Sequence, residues 1–282
     1  MMKLHRLVAW IEKNLHLPLS ISLIAQKAGC SPRYLSSIFK NTYDISIASY
    51  IQKRRLTLAS ALLRTTSRSI TEIALMYQFT HVASFSRAFK NQFGLSPVNF
   101  RLADCWDMKL FLPSAAIYDF TCHTAVVSIP ENIFITPLKN KKKGIHLGVD
   151  FILTTENGKV ISDQKLNQSI IDIIFHKDTI FPAMVLGTVN PGKESDTDVE
   201  IIIGTLTTEN SIKYKINILS GHYACFSYKG TPSQIMRFNA WARGHGMHRC
   251  HLIMKKGPTF SVFYETTTEG IFKTELYIPC MA

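Results

Sequence analysis

Two domains of different class are predicted from the sequence: an all-α domain over residues 1–105 and an α+β domain with an antiparallel sheet over 120–282, with 106–119 as the linker. Three observations predict this. Apolar residues recur every three or four positions as far as Arg101, then give way to alternation and β-branched runs. The pattern at Ile24–Asn41 returns at Ile73–Asn91. Charge is also divided unequally between the two parts. A chain of 282 residues, 46% hydrophobic and 18% charged, can bury a core in each part, which excludes disorder.

In the first part, Leu4, Leu7, Val8, Ile11 and Leu15 form the stripe of an amphipathic helix that Pro18 ends. Ser20 caps the next helix, with Ile21, Ile24, Ala25 and Ala28 on its expected buried face. Gly29 supplies a turn, and Ser31-Pro32 is an N-cap followed by proline at the first helical position. The helix so started is expected to carry Tyr34, Leu35, Ile38 and Phe39 inward and to show Arg33, Ser36, Ser37 and Lys40 outward. Two short helices joined by a tight turn, the second with a small polar and basic face, describe a helix-turn-helix.

The second copy strengthens that reading. Ile24-Ala25 matches Ile73-Ala74, and Phe39-Lys40-Asn41 matches Phe89-Lys90-Asn91, with one extra residue in the second turn. The matching outward residues are His81, Val82, Ala83, Ser86, Arg87 and Lys90. Between the copies, residues 46–63 lack Gly and Pro and are predicted to form one helix, a strut of about 27 Å. It would set two recognition helices close to one duplex turn apart, roughly 34–36 Å. Arg54, Arg55, Arg64 and Arg68 lie on or just after the strut and are expected at phosphates.

Residues 1–105 hold 14 Lys+Arg and four Asp+Glu, a net of +10, whereas 106–282 carry only +2. A basic first third facing a nearly neutral remainder points to a polyanionic partner, nucleic acid or anionic membrane. No run of 18 apolar residues occurs, and Lys3, His5, Arg6 and Glu12 interrupt the apolar start, so neither a membrane span nor a signal peptide is expected. Six cysteines without a C-x2-C pair suit reduced thiols in a cytoplasm. The chain is expected to be cytoplasmic and nucleoid-associated.

The duplicated unit, and above all IALMYQF followed by FSRAFKNQFGLSPVNFR ending at Arg101, resembles the DNA-binding domain of the AraC/XylS family of bacterial transcription factors. The likeness covers about residues 3–103 and is nearest to the family's Rob-like group, in which the DNA-binding domain comes first and a GyrI-like domain follows. The resemblance implies binding of double-stranded DNA as a monomer, contact with RNA polymerase and, as the expected output, activation. Where that group presents a bulky aromatic, a Gln and an Arg on its first recognition helix, this chain has Arg33, Ser36 and Ser37. Two Gln positions of the second helix are Val82 and Ala83. The target is therefore expected to differ, with A/T-rich elements and thymine-methyl contacts. Arg33 and Arg87 are the leading base or phosphate contacts, with Lys40 and Lys90 as phosphate clamps.

Beyond Arg101, CWDMKLFLPSAAI (105–117) reads as a junction, and strands are predicted at 123–129, 146–153, 198–206, 222–229, 260–264 and 273–278. Helices are expected at 162–176 and 232–244, and Lys139–Lys143 (KNKKK) as a solvated loop. GHYACFSYKG (221–230), KKGPTFSVFYE (255–265) and TELYIP (274–279) resemble a GyrI-like effector domain. That implies two strand-helix-strand modules around an aromatic-lined cleft for a small lipophilic or cationic molecule. The resemblance places the site near Tyr223, Phe226, Trp241, Phe263, Glu275 and Tyr277. The second acidic residue common in such domains aligns with Ser261, while Glu265 falls at the strand end. The alternative is a GyrI-like hydrolase or a sequestering module tethered to DNA.

No phosphate-binding glycine loop, serine elbow or zinc spacing occurs. HGMHRCH (His245, His248, Cys250, His251) fits no common zinc site. No enzyme activity, metal or cofactor is expected.

Overall fold

Serine side chains open most helices of the first unit. Helix α1 spans Leu4–Lys13; Ser20 accepts from the Leu23 amide to start α2 (Ile21–Ala28), and Ser31 from that of Tyr34 to start α3 (Pro32–Tyr43). Ser46 starts α4 (Ile47–Thr65), and Ser69 forms a capping box with Glu72 at α5 (Ile70–Met76). Helix α6 (Val82–Phe93) begins at His81 without a side-chain cap, and Ser96 starts α7 (Pro97–Leu102). The computed structural model describes residues 3–116, 120–131, 133–145, 155–156, 159–160, 171–172, 174–175, 179, 181–193, 197–207 and 216–282. Gly29, at φ 70°, turns the chain between α2 and α3; in the second copy the non-glycine Gln78, at φ 67°, lies in the turn before α6. No helix among the described residues is long and apolar enough to cross a membrane.

Helix α4 runs two residues beyond its expected end and packs against α3, α5, α6 and α7. Its Arg54, expected at phosphate, is instead fully buried. The guanidinium grips Glu12 of α1 through Nε, at 2.9 and 3.1 Å, and Nη2, at 2.8 Å, while Nη1 donates to the Leu112 carbonyl at 2.6 Å. Tyr50 donates to Glu12 Oε1 at 2.6 Å and accepts from the Ala115 amide at 3.1 Å. Burial, then the Glu12 charge, pushes the Tyr50 phenol well above its ordinary pKa, so it stays a donor. Each charge in this site has lost its water and is held only by its partners.

The stretch expected to link the domains is structured at both ends. Cys105–Asp107 forms strand β1 in the second unit, whereas 110–116 belongs with the helices. Leu112 donates its amide to Thr57 Oγ1 at 3.0 Å, and Phe111 meets Phe93 edge-on at 5.2 Å. Two expected inward residues are exposed: Ile21, the first residue of α2, at 38%, and Tyr34 at 46%. Tyr34 lies about 100° around α3 from Leu35, outside the line of Leu35 and Phe39 that faces the core.

The second unit is built on an eight-stranded, all-antiparallel sheet. Its strands are β2 (His123–Ile129), β3 (Phe134–Ile145), β6 (Ala183–Pro191), β7 (Thr197–Thr207), β8 (Ile216–Asn217), β9 (Gly221–Gly230), β11 (Thr259–Glu265) and β12 (Phe272–Pro279). Within this unit β1 also pairs with β10 (Ile253–Lys255); a hairpin of β4 (Thr155–Glu156) with β5 (Lys159–Val160) groups with the first unit. In the order β2-β9-β12-β11-β6-β7-β3-β8, the trio β9-β12-β11 mirrors β3-β7-β6 across the β11–β6 pair. Two three-stranded halves are thus related in the strand order. Helix α8 (Pro232–Trp241), between β9 and β11, covers one face of its module and passes into a π-turn over Ala242–Gly246. A β-carbon on Gly246 would come 2.9 Å from Phe226 Cε1, so glycine lets this turn lie against the sheet.

Lys139–Lys143 is not a loop. It extends β3 and pairs with Ile203 through Val199 of β7. Alternation rules miss such a strand because it has no apolar face to count. The strand expected at 146–153 lies outside the described residues, as does most of the helix expected at 162–176; within it, Asp172 is helical, and Ile174 is helical and buried.

Replacing Arg54 with Ala leaves the Glu12 carboxylate buried and unpaired. Chemical denaturation is expected to show a loss of about 3–5 kcal/mol. Arg33→Ala, at an exposed site, is expected to stay within about 0.5 kcal/mol of wild type.

Candidate nucleic-acid interface

Two helix faces carry the features expected of a DNA-reading surface. In α3, Leu35 and Phe39 are buried and turn Arg33, Ser36, Ser37 and Lys40 into solvent. In α6 the anchors are Phe85, Phe89 and Phe93, with successive ring centroids 5.5 and 4.6 Å apart. Phe79 and Phe100 extend this aromatic cluster, at 5.2 Å from Phe85 and 5.1 Å from Phe89. Rings packed in tilted and edge-on contacts along one side of a helix fix its rotation. His81, Val82, Ala83, Arg87 and Lys90 are exposed, and Ser86 is half-buried. Arg87 stands nearly opposite the phenylalanine line, whereas Val82 lies at the helix start on the anchored side.

The helix faces also include residues that the sequence pattern did not single out. Tyr34 and Asn41 join the exposed face of α3, and Ser84 and Asn91 that of α6. Spacing from the buried Leu35 would have found Tyr34; counting it as an apolar residue hid it.

The strut arginines have other duties. Besides Arg54, Arg55 is half-buried and donates to the carbonyls of Leu15, at 2.8 Å, and Leu17, at 2.7 Å. Arg64 lies over the Phe111 ring at 5.5 Å, and burial pulls its pKa down to about 10. Arg68 Nη1 reaches Met76 Sδ at 2.8 Å. These guanidiniums tie α4 and its exit to neighbouring segments. Of the acidic residues of this unit, Glu12 faces Arg54 and Glu72 closes the cap at Ser69, while Asp44 is exposed at the end of α3. The exposed basic residues of α3 and α6, Arg33, Lys40, Arg87 and Lys90, outnumber the exposed acids of their unit, Asp44 and Glu72.

In the second unit, the six aromatic and acidic candidates fall on opposite faces of the sheet. Phe226, Phe263 and Trp241 are buried on the helix-covered face, where Phe226 and Trp241 lie 6.5 Å apart and Phe263 meets Phe175 at 5.4 Å. They are core residues, not neighbours of Glu275. Tyr223, Glu275 and Tyr277 lie on the other face, as the register of β9 and β12 requires. Tyr223 is itself buried and packs on Phe260 at 5.3 Å; Phe260 stacks on Tyr277 at 4.5 Å.

Glu275 is half-buried and fully engaged. Oε2 accepts from Tyr264 at 3.1 Å and Tyr277 at 3.0 Å, and Oε1 meets Lys273 Nζ at 2.6 Å. Burial pushes its carboxyl pKa up, but the lysine and the two phenols prevail and hold it below the ordinary value. Its cross-strand partner is Val262; Ser261 pairs with Leu276 and points to the helix side. No second carboxylate from β11 faces Glu275.

Of the His/Cys cluster, His248 Nδ1 is 2.8 Å from the Met108 carbonyl. Among the described residues no group of three or more His, Cys, Asp or Glu is placed to hold a metal.

Comparison with known proteins agrees with the helical geometry. A family profile described as a helix-turn-helix domain matches residues 24–103. The chain is 30% identical over 276 residues to the transcriptional regulator Rob of Salmonella typhimurium, covering 94% of this chain and 91% of that protein. It is 27% identical over 265 residues to the right origin-binding protein of Escherichia coli strain K12, covering 92% and 89%. The regulatory protein SoxS of the same strain is 39% identical over 95 residues, 34% of this chain and 89% of SoxS. These relatives are regulators rather than enzymes. With near-full-length identity to Rob and a helix-turn-helix match across its duplicated unit, the chain belongs to the AraC/XylS family of transcriptional regulators.

Proposed function

We propose that this regulator binds duplex DNA sequence-specifically as a monomer, through α3 and α6 in neighbouring major-groove segments. The observation that carries the proposal is the pair of matched basic faces held on one strut. Helix α4, at 19 residues, spans about 28 Å, which supports placement on successive turns of one duplex face. The net charge of +10 over residues 1–105 supports attraction to phosphates. Activation through RNA polymerase contact, and a nucleoid-associated cytoplasmic location, follow as the family expectation.

The second unit is proposed as a GyrI-like sensor of a small molecule at the face bearing Tyr264, Glu275 and Tyr277. Lys273 already neutralises the carboxylate, which favours a neutral lipophilic effector over a cation. Hydrolysis draws no support from a lone carboxylate facing Val262.

In vitro selection from a randomised duplex pool at near-physiological salt is expected to enrich one asymmetric site with two elements. Arg87→Ala is expected to weaken binding to that site by roughly 5- to 150-fold and to relax preference in one element; unchanged affinity and preference would remove α6 from the interface. Binding without enrichment, governed by salt alone, would mark an architectural binder.

For the sensor, titration calorimetry with tetraphenylphosphonium is expected to show about tenfold tighter binding by Lys273→Met than by wild type, with no gain in Lys273→Met/Glu275→Gln. Because the Glu275 pKa is lowered by folding, the stability it contributes is present above the ordinary carboxylate range and lost as pH falls through the folded value. The urea midpoints of wild type and Lys273→Met are therefore expected to converge as pH falls below the ordinary carboxylate range.

A further inference from the structure

The two recognition faces carry nearly the same side chains, with one arginine moved by a turn. Superposing Phe39-Lys40-Asn41 on Phe89-Lys90-Asn91 aligns Arg33, Ser36, Ser37 and Lys40 with Ala83, Ser86, Arg87 and Lys90. The serine pair Ser36/Ser86, the lysine pair Lys40/Lys90 and the asparagine pair Asn41/Asn91 are identical. The guanidinium stands at the start of α3 but one turn further along α6. All four residues of the exchange, Arg33, Ser37, Ala83 and Arg87, are exposed, and both helices are fixed in rotation by buried anchors at matching positions, Leu35 with Phe85 and Phe39 with Phe89. Four residues along a helix displace a side chain by about 6 Å and rotate it by about 40°. Six ångströms is close to two base-pair steps of ~3.4 Å.

We propose that this displaced arginine makes the two elements of the DNA site non-identical: Arg33 reads a guanine in one element about two base pairs out of register with the guanine that Arg87 reads in the other. A guanidinium in the major groove takes guanine O6 and N7 together, a pairing that serine and alanine cannot make. Tyr34, opposite Ser84 in the same alignment, adds bulk to the α3 face alone, so the first element also accommodates an exposed aromatic ring. The inference rests on α3 and α6 being the recognition helices.

The experiment is parallel selection from a randomised duplex pool by the full-length wild type, Arg33→Ala and the double variant Arg33→Ala/Ser37→Arg, which gives α3 the Ala, Ser, Arg and Lys set of α6. Wild type is expected to enrich two elements with guanines in different registers. Arg33→Ala should relax guanine preference in the first element by about tenfold or more while leaving the second intact. The double variant should restore that preference about two base pairs away, turning the site toward a direct repeat. A wild-type site that Arg33→Ala leaves unchanged, or that the double variant fails to shift while Arg33→Ala still binds, overturns the register assignment but not sequence-specific binding. Failure of wild type to enrich any site overturns both readings.

Discussion

The helical unit depends on one buried carboxylate. Glu12 accepts three bonds from Arg54 and one from Tyr50, and these same two side chains reach the 110–116 segment through Leu112 and Ala115. Helix α1, the strut and the returning segment are thereby joined at a point from which water is excluded. Apolar packing alone is tolerant of small slides and rotations, whereas a bidentate guanidinium–carboxylate pair is not. The orientation of α4 is set by this pair, and α3 and α6 take theirs from packing on α4. The hydroxyl of Thr57 on the same helix is shared by Leu112 and Gln92, which brings α6 into the same frame.

This arrangement divides basic residues into two populations. The arginines of the strut are consumed by carbonyls, a ring and Glu12, and contribute to the frame; the basic residues on α3 and α6 remain in solvent with their charge available. Net charge therefore identifies the polyanion-facing part of the chain without identifying the residues that face it. The two readable faces differ chiefly in where one guanidinium sits, a small change in sequence with a direct consequence for register on a duplex.

In the second unit, alternation along each strand separates what the sequence lists together. Phe226 and Phe263 fall on the face covered by α8 and Phe175, while Glu275 and Tyr277 fall on the other. Glu275 is held by a lysine two residues away on its own strand and by phenols from two strands. A carboxylate so satisfied behaves as part of a polar platform, and its affinity for an incoming cation is reduced by the ammonium already beside it.

Local patterns were legible in the sequence alone: the serine caps, the paired helix-turn-helix copies, the uninterrupted strut, the strands around 222–229, 260–264 and 273–278, and the exposed sets on α3 and α6. Each is written within a few residues, because capping, helical periodicity and strand alternation are short-range properties. Only the tertiary structure decided that Arg54 is a core residue, that Tyr34 faces outward, that KNKKK belongs to a strand, and that Glu275 already has its cation. The fate of a charged side chain is set by the partner it meets after folding, and Glu12 lies 42 residues from Arg54. Burial of such a pair depends on how helices pack, which no local window of sequence contains.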